Sequence, residues 1–451
     1  MKFSRREVVA SLALAAAAPL AAQTEPAASS EPAPLSPADR SQAMDRLLMY
    51  FRGTAPQLLR PAEGALKFPS IAPSLPGKQY STSLWDWDTY WTTRGLFRFA
   101  NLIHDSALHA RIAEHAIGSL NNFFAEQSRE GRIPIMIDVH HSDLFGSLQP
   151  AAPNYRNQAK PVFGQLALLI ADETRTVDWL VPSFERLLRF YSSWLLGNQS
   201  STGLLVWGDD VAIGNDNDPT TFGRPLFSSA NLLLNCLFHQ DLTAAAELAR
   251  RLSRTADQQR LTGQAAALAA AIQKHCWDPR DSFYYTADVQ CVDRRAELIP
   301  TVKPGMPMSW QAIPLRIQTF TGFLPLWCNI ATAEQATALV RTNYLADDGL
   351  RAPFGVRSLS SRESMYSMDF SSNPSNWLGP VWIIGNYLVW RALANTGFHQ
   401  QADALRDKTL RLLATDLATN GSLNEYYHPD TGAALSHNGF MDWNLLVLEM
   451  V

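Results

Sequence analysis

Two acidic segments set carboxylates among turn-forming or aromatic residues: Gly214-Asn215-Asp216-Asn217-Asp218-Pro219 and, roughly two hundred residues later, Glu425-Tyr426-Tyr427. A carboxyl pair of this kind is the equipment for inverting cleavage of a glycosidic bond. One group protonates the departing oxygen while the other activates water across the ring, with the two held roughly 6.5–9.5 Å apart. Asp216 is the candidate acid, its affinity for a proton raised by nearby aromatics and by repulsion from Asp218, and Glu425 is the candidate base. The rivals are Asp209 or Asp210, after Trp207-Gly208, for the acid and Glu363 for the base. A calcium loop is excluded, because no Asp-x-Asp-x-Asp-Gly register ending in glutamate is present.

Further groups suited to a sugar lie in other breaks between predicted helices. In Trp85-Asp86-Trp87-Asp88-Thr89-Tyr90-Trp91 the indoles suit the face of a pyranose and the carboxylates suit vicinal hydroxyls, although helix capping and core packing explain the same letters. Tyr155-Arg156-Asn157-Gln158 supplies a guanidinium and two amides at the entrance of the next helix.

Helices must position these groups. Leu108, Ile112, Ala116, Leu120 and Phe123 mark one helical face, and Ala402, Leu405, Thr409, Leu412 and Leu413 another. Comparable stripes run near 41–52, 87–103, 157–172, 178–196, 226–251, 309–327, 332–345, 376–396 and 438–450, and the best strand is 283–289. Such a succession of helices predicts a toroid or a solenoid, and the lack of a fixed repeat disfavours the solenoid.

The motifs carry a family resemblance. Trp87-Asp88-Thr89-Tyr90-Trp91 with Arg94-Gly95-Leu96 resembles the Trp-Asp-Ser/Thr-Tyr-aromatic signature of trehalases and of glycoside hydrolase family 63, which includes processing glucosidases and mannosylglycerate hydrolases. Arg156-Asn157-Gln158 with Pro161, Gly214-x-Asp216-Asn217-x-Pro219, Trp377-Leu378-Gly379-Pro380-Val381-Trp382 with Asn386-Tyr387, and Glu425-x-Tyr427 follow in the family's order. The resemblance covers about Tyr80 to the C-terminus. It implies an all-α (α/α)6 toroid with minor β-hairpin content, Asp216 as acid, Glu425 as base, and a sugar site drawing on Trp85, Trp87, Asp88, Tyr90, Arg156, Asn157, Gln158, Trp207, Asp210, Trp377, Gly379, Trp382, Asn386 and Tyr427. There are departures: Asp218 and Thr220 stand where relatives have serine and arginine, and Leu378 where they have arginine, so specificity is expected to differ.

Ser4-Arg5-Arg6 before the apolar run Val8–Ala22 is a twin-arginine pattern, too short for a membrane span, and predicts export to the periplasm or beyond over residues 1–22. Residues 23–40, rich in Pro, Ser and Ala, read as a disordered linker, and 41–451 as one catalytic domain. A formal charge of −4 with dispersed Lys and Arg argues against nucleic acid and fits a neutral saccharide. The chemistry calls for no metal and no organic cofactor. Among Cys236, Cys276, Cys291 and Cys328, a Cys276–Cys291 disulfide and a buried Cys276 thiol are both open. Two other classes remain: a sugar epimerase working through histidines among His104, His109, His115, His140, His141 and His239, and a carbohydrate-binding protein without catalysis.

Overall fold

The computed structural model describes residues 33–148, 156–291, 299–301, 303, 310–371 and 374–451. The predicted export signal, the first part of the linker and Tyr155 lie outside these residues. Among the described residues, no helix is long and apolar enough to cross a membrane.

The first helix, α1 (Pro37–Thr54), starts before the expected domain boundary at Ser41. Ser36 caps it by accepting from the Asp39 backbone N–H at 3.1 Å, and proline occupies the first turn, where its missing N–H costs nothing. Arg40, expected in the linker, reaches Asp407 at 2.8 Å and so belongs to the folded domain.

Ten more α-helices follow among the described residues: α2 (Asp86–Leu102), α3 (Ser106–Ala125), α4 (Phe163–Thr174), α5 (Phe184–Asn198), α6 (Leu232–Arg251), α7 (Thr255–Cys276), α8 (Leu324–Trp327), α9 (Ala333–Leu339), α10 (Ile383–Asn395) and α11 (His399–Asn420). A 3-10 helix, Asp442–Met450, ends the chain. Alternate helices touch in a closed cycle: α2 packs on α4, α4 on α6, α6 on α8, α8 on α10, α10 on 442–450, and 442–450 back on α2. This is the inner ring of an (α/α)6 toroid. Residues on α2 and α10 are buried on nearly every side, as an inner helix requires, whereas α11 is buried through its middle, Asp407–Leu410 included, and exposed toward both ends.

Residues 309–327 do not form the helix expected there. Ile313–Pro314 is an edge strand paired to Ala287–Asp288, and the helical part shrinks to Phe320–Phe323 and the single turn of α8, with Pro325 tolerated only because it sits in that first turn. The four cysteines are free thiols. Phe283–Tyr284 folds back on Trp277–Asp278 next to Cys276, but the chain then crosses to pair Ala287–Asp288 with Ser229–Ala230, which carries Cys291 away.

Short strands lead directly into inner helices: Ser83–Trp85 into α2, Ser229–Ala230 into α6 and Val381–Trp382 into α10. The starts of these helices and the loops before them therefore share one mouth of the toroid. The loop before Asp218 and the strand after Glu425 both meet the segment that starts α10, through Asn217–Trp377 and Tyr426–Trp382.

Candidate active site

The loop bearing Asp216 is held through its neighbours. Asn217 accepts the Trp377 backbone N–H at 2.6 Å and donates to Asn376 Oδ1 at 3.2 Å. Asp218 is buried and accepts from the Thr220 backbone at 2.8 Å and from Asn231 Nδ2 at 3.3 Å; it locks the turn, and burial raises its pKa. Gly214 has φ of 97°, and a Cβ there would stand 3.0 Å from the Trp87 ring, so glycine allows the loop to lie against that indole. Asp216, half-buried, lies within this braced turn.

Glu425 sits in a ladder. Its backbone donates to the Ser436 carbonyl at 2.9 Å, its carbonyl accepts Trp443 Nε1 at 3.2 Å, and the next residue, Tyr426, pairs with Trp382. Only 4% of Glu425 is exposed, and its carboxylate is hydrogen-bonded to His437 Nδ1. Burial works against the His437 cation, but the hydrogen bond to Glu425 and its charge outweigh this, so the imidazole pKa is raised. His437 holds an unusual φ of 43°, and its ring meets Tyr80 edge-on at 5.4 Å.

One aromatic stack joins the two segments. Trp377 and Trp382 lie 4.0 Å apart and nearly parallel, Tyr426 continues the stack 4.6 Å from Trp382, and Trp87 closes on Trp377 at 6.3 Å and Trp443 at 5.8 Å. The acid loop is fastened to the Trp377 end and the Glu425 strand to the Trp382 end. Burial and the charges of Glu425, Asp216 and Asp88 together push the Tyr80 hydroxyl well above its usual range. All three carboxylates therefore lie within electrostatic range of this one hydroxyl.

At the start of α2, Asp86 is fully buried and satisfied by Lys160, whose Nζ stands at 2.9 Å and backbone N–H at 2.6 Å, and by the Trp87 N–H at 2.7 Å. It anchors the helix start, where a carboxylate also suits the helix dipole. Asp88 is buried next to Asp442, and burial is the main cause that pushes its pKa up to about 7.

Several residues expected at the sugar have other employment. Tyr90 joins Arg94, which bridges to Glu449 on the last helix, deeper in the ring. Asn386 has no exposed surface; it accepts the Val356 N–H at 2.8 Å and donates to Thr409 at 3.0 Å, bracing a hairpin. Asn157 spends its amide on Asp209, Val211 and the Gly208 N–H, and so builds the 208–211 loop. Tyr427 is buried behind the strand, donating to Asp416 at 2.8 Å, while Tyr426 takes the place in the stack. Gln158 accepts from Ser193 at 3.0 Å, and Trp207 packs edge-on against Trp194. Gly379, at φ of 150°, passes under Tyr366 where a Cβ would stand 2.5 Å from the ring. Trp85 packs on Tyr80 at 5.9 Å, and Arg156 is 3.8 Å from Asp209.

The rivals are occupied too. Asp209 is tied to Asn157, Asp210 accepts the Gly223 N–H at 2.8 Å, and Glu363 accepts the Gln318 N–H at 2.8 Å. Arg224, the arginine nearest the acid loop, is paired with Asp288. His109 pairs with Glu173 at 2.9 Å, and His115 bonds the carbonyl of Arg111 on its own helix. Sequence reading passed over Tyr80, Lys160, His437, Asp442 and Trp443. His437 lies just beyond the strand Ala434–Ser436 that pairs with Tyr426–Tyr427, a neighbourhood that only the folded hairpin reveals.

The fold is that of known sugar hydrolases. A mannosylglycerate hydrolase of glycoside hydrolase family 63 from Thermus thermophilus, solved with glucose, superposes with a TM-score of 0.62 at 19% identity over 91% of this chain and 98% of its own. Neutral trehalase Nth1 from Saccharomyces cerevisiae gives a TM-score of 0.57 at 16% identity, covering 85% of this chain and 74% of that enzyme.

The model of the mannosylglycerate hydrolase MGH1-like glycoside hydrolase domain matches residues 82–442, and the chain belongs to that family. Mannosylglycerate hydrolase MGH1 of Selaginella moellendorffii is 31% identical over 127 residues, which are 28% of this chain and 23% of the plant protein. In sequence, a mannosylglycerate hydrolase of Thermus thermophilus is 28% identical over 139 residues, 30% of this chain and 31% of that protein. The matched stretch thus spans under a third of these relatives' length.

Proposed function

We propose that the chain is an inverting glycosidase that cleaves an α-linked glucoside or a similar small saccharide. Asp216 donates its proton to the leaving oxygen, and Glu425 takes a proton from a water that attacks the anomeric carbon from the opposite face. The sugar ring lies against the indoles, which supply an apolar wall without claiming its hydroxyls.

The observation that supports this reading is the shared stack: Asn217 beside Asp216 is bonded to Trp377, Tyr426 beside Glu425 is paired with Trp382, and both carboxylates act on Tyr80. His437 adds a donor that keeps the Glu425 carboxylate in place as water's proton acceptor. The relatives' names supply mannosylglycerate, and the glucose-bound neighbour glucosyl compounds, as first substrates. Export by the twin-arginine route would put the reaction in the periplasm or outside the cell.

A panel of trehalose, other α-glucosides, mannosylglycerate and short α-oligosaccharides tests the proposal. Hydrolysis by the wild type, lost in Asp216→Asn and Glu425→Gln, is the expected result. Binding without cleavage across the panel would leave a carbohydrate-binding protein, and isomerised sugar would leave an epimerase.

A further inference from the structure

The aromatic mouth contains two carboxyl groups that the proposed acid–base chemistry does not use. Asp88 lies near the start of α2, and Thr92, one turn later on the same face, donates to Asp442 Oδ1 at 2.8 Å. Asp442, first residue of the last helix, is therefore held against the α2 face that presents Asp88. Its second oxygen, Oδ2, is fully buried and meets no N–H or O–H donor among the described residues. The buried Asp88 carboxyl, one turn before Thr92 on that face, is near enough for each group to shift the other's proton affinity. Two charged carboxylates buried side by side repel each other; a single proton between them removes the repulsion and gives the orphaned oxygen a partner.

We propose that Asp442 is a positioning residue for the sugar site, sharing one proton with Asp88 so that Asp88 faces the bound sugar in a fixed orientation. The proposal rests on reading this mouth as a glycosidase site. Asp88 is the outer member of the pair, 7% exposed against 0% for Asp442, and it is one of the three carboxylates that act on Tyr80. With its inner oxygen engaged by the shared proton, its outer oxygen is left to accept from a sugar hydroxyl. The proton also limits the pair to one negative charge beside Glu425, whose own charge acts on Asp442.

The other charged groups around the pair point the same way. Asp86, on the same helix, repels a charge on Asp88, and Lys160, before α4, attracts it but is already engaged by Asp86. Burial is the largest influence on both members; it pushes Asp88 up to about 7 and Asp442 well above the usual carboxylate range. Loss of the shared proton at alkaline pH sets two adjacent carboxylates against each other and releases Asp88.

The test uses the full chain and has one arm that does not need turnover. Infrared difference spectroscopy between wild type and Asp442→Asn at neutral pH is expected to show a protonated-carboxyl stretch present only in the wild type, in addition to the Asp216 acid common to both, because the Asn amide donates to Asp88 without a shared proton. The second arm measures kcat and KM from about pH 5 to about pH 9 on whichever glycoside the wild type hydrolyses. Wild-type KM should rise as the pair loses its proton, and the rise should vanish in Asp442→Asn. Asp442→Leu should raise KM about 10-fold more than it lowers kcat. A wild-type-minus-Asp442→Asn spectrum with no such band, or a KM limb in the variant the same as the wild type's, overturns the proposal. If Asp442→Leu does not fold, the Asn variant alone decides. A wild type that cleaves nothing defeats the glycosidase reading, while the infrared arm still reports on the pair.

Discussion

The two halves of the proposed acid–base pair are held in different ways. On the acid side, flanking residues brace the loop: Asn217 ties it to Trp377, Asp218 locks the turn, and Gly214 lets it lie on Trp87. On the base side the carboxylate itself is gripped, 4% exposed, in a β-ladder with a histidine hydrogen-bonded to it. The contrast follows from the chemistry. An acid must gain and lose a proton and approach the leaving oxygen, so its mount is rigid at the backbone. A base must stay ionised and aimed at water, so a donor fixed on the carboxylate serves it.

Removing the acting groups should have the largest effect. Asp216→Asn and Glu425→Gln should each lower kcat roughly 10²- to 10⁴-fold while thermal melting changes little, which steady-state kinetics and circular dichroism would check. If either variant keeps wild-type turnover, that side of the comparison is wrongly assigned.

Loosening the mounts should separate the sides further. Asn217→Ala removes two buried hydrogen bonds and leaves the Trp377 N–H unpaired, so it should cost about 1–3 kcal/mol in chemical denaturation and lower kcat as well. His437→Phe keeps a ring against Tyr80 but loses the donor, and should lower kcat about 10-fold. Its effect on stability has a definite sign. Because the folded pKa of His437 is raised, the pairing stabilises the fold fully below the unfolded value of 6.5 and the gain is lost as pH rises through the folded value. The gap in melting temperature between wild type and His437→Phe should therefore be widest at low pH and close at high pH.

The smallest effect on catalysis is expected at Asn386, which the motif order had assigned to the sugar. Asn386→Leu should cost about 1–3 kcal/mol of stability, because it strands the Val356 N–H, while KM stays near wild type. A large rise in KM would return Asn386 to the site.

What could be read from sequence follows the same division. Helical stripes located most inner and outer helices because burial on a helix leaves a period of 3.6, as in Ala402, Leu405, Leu412 and Leu413 of α11. The reading failed at 309–327, where the apolar residues are split between an exposed edge strand, Ile313–Pro314, and a buried short turn, Phe320–Phe323. At the site, motif order could point to segments but not to each side chain's direction. It gave Tyr427 a role where the neighbouring Tyr426 joins the stack, and Asn157 and Asn386 roles although their amides are used inside the scaffold. It passed over His437 and Asp442, since a partner twelve residues beyond Glu425, or one at the far end of the domain from Asp88, is visible only once the hairpin and the ring close.

The central claim is that Asp216 and Glu425 act from opposite faces of one sugar ring with a water between ring and base. Proton NMR of the first sugar released from an α-linked substrate, recorded before mutarotation, tests it most directly. The account predicts that the β-anomer appears first; release of the α-anomer would mean retention and would contradict it.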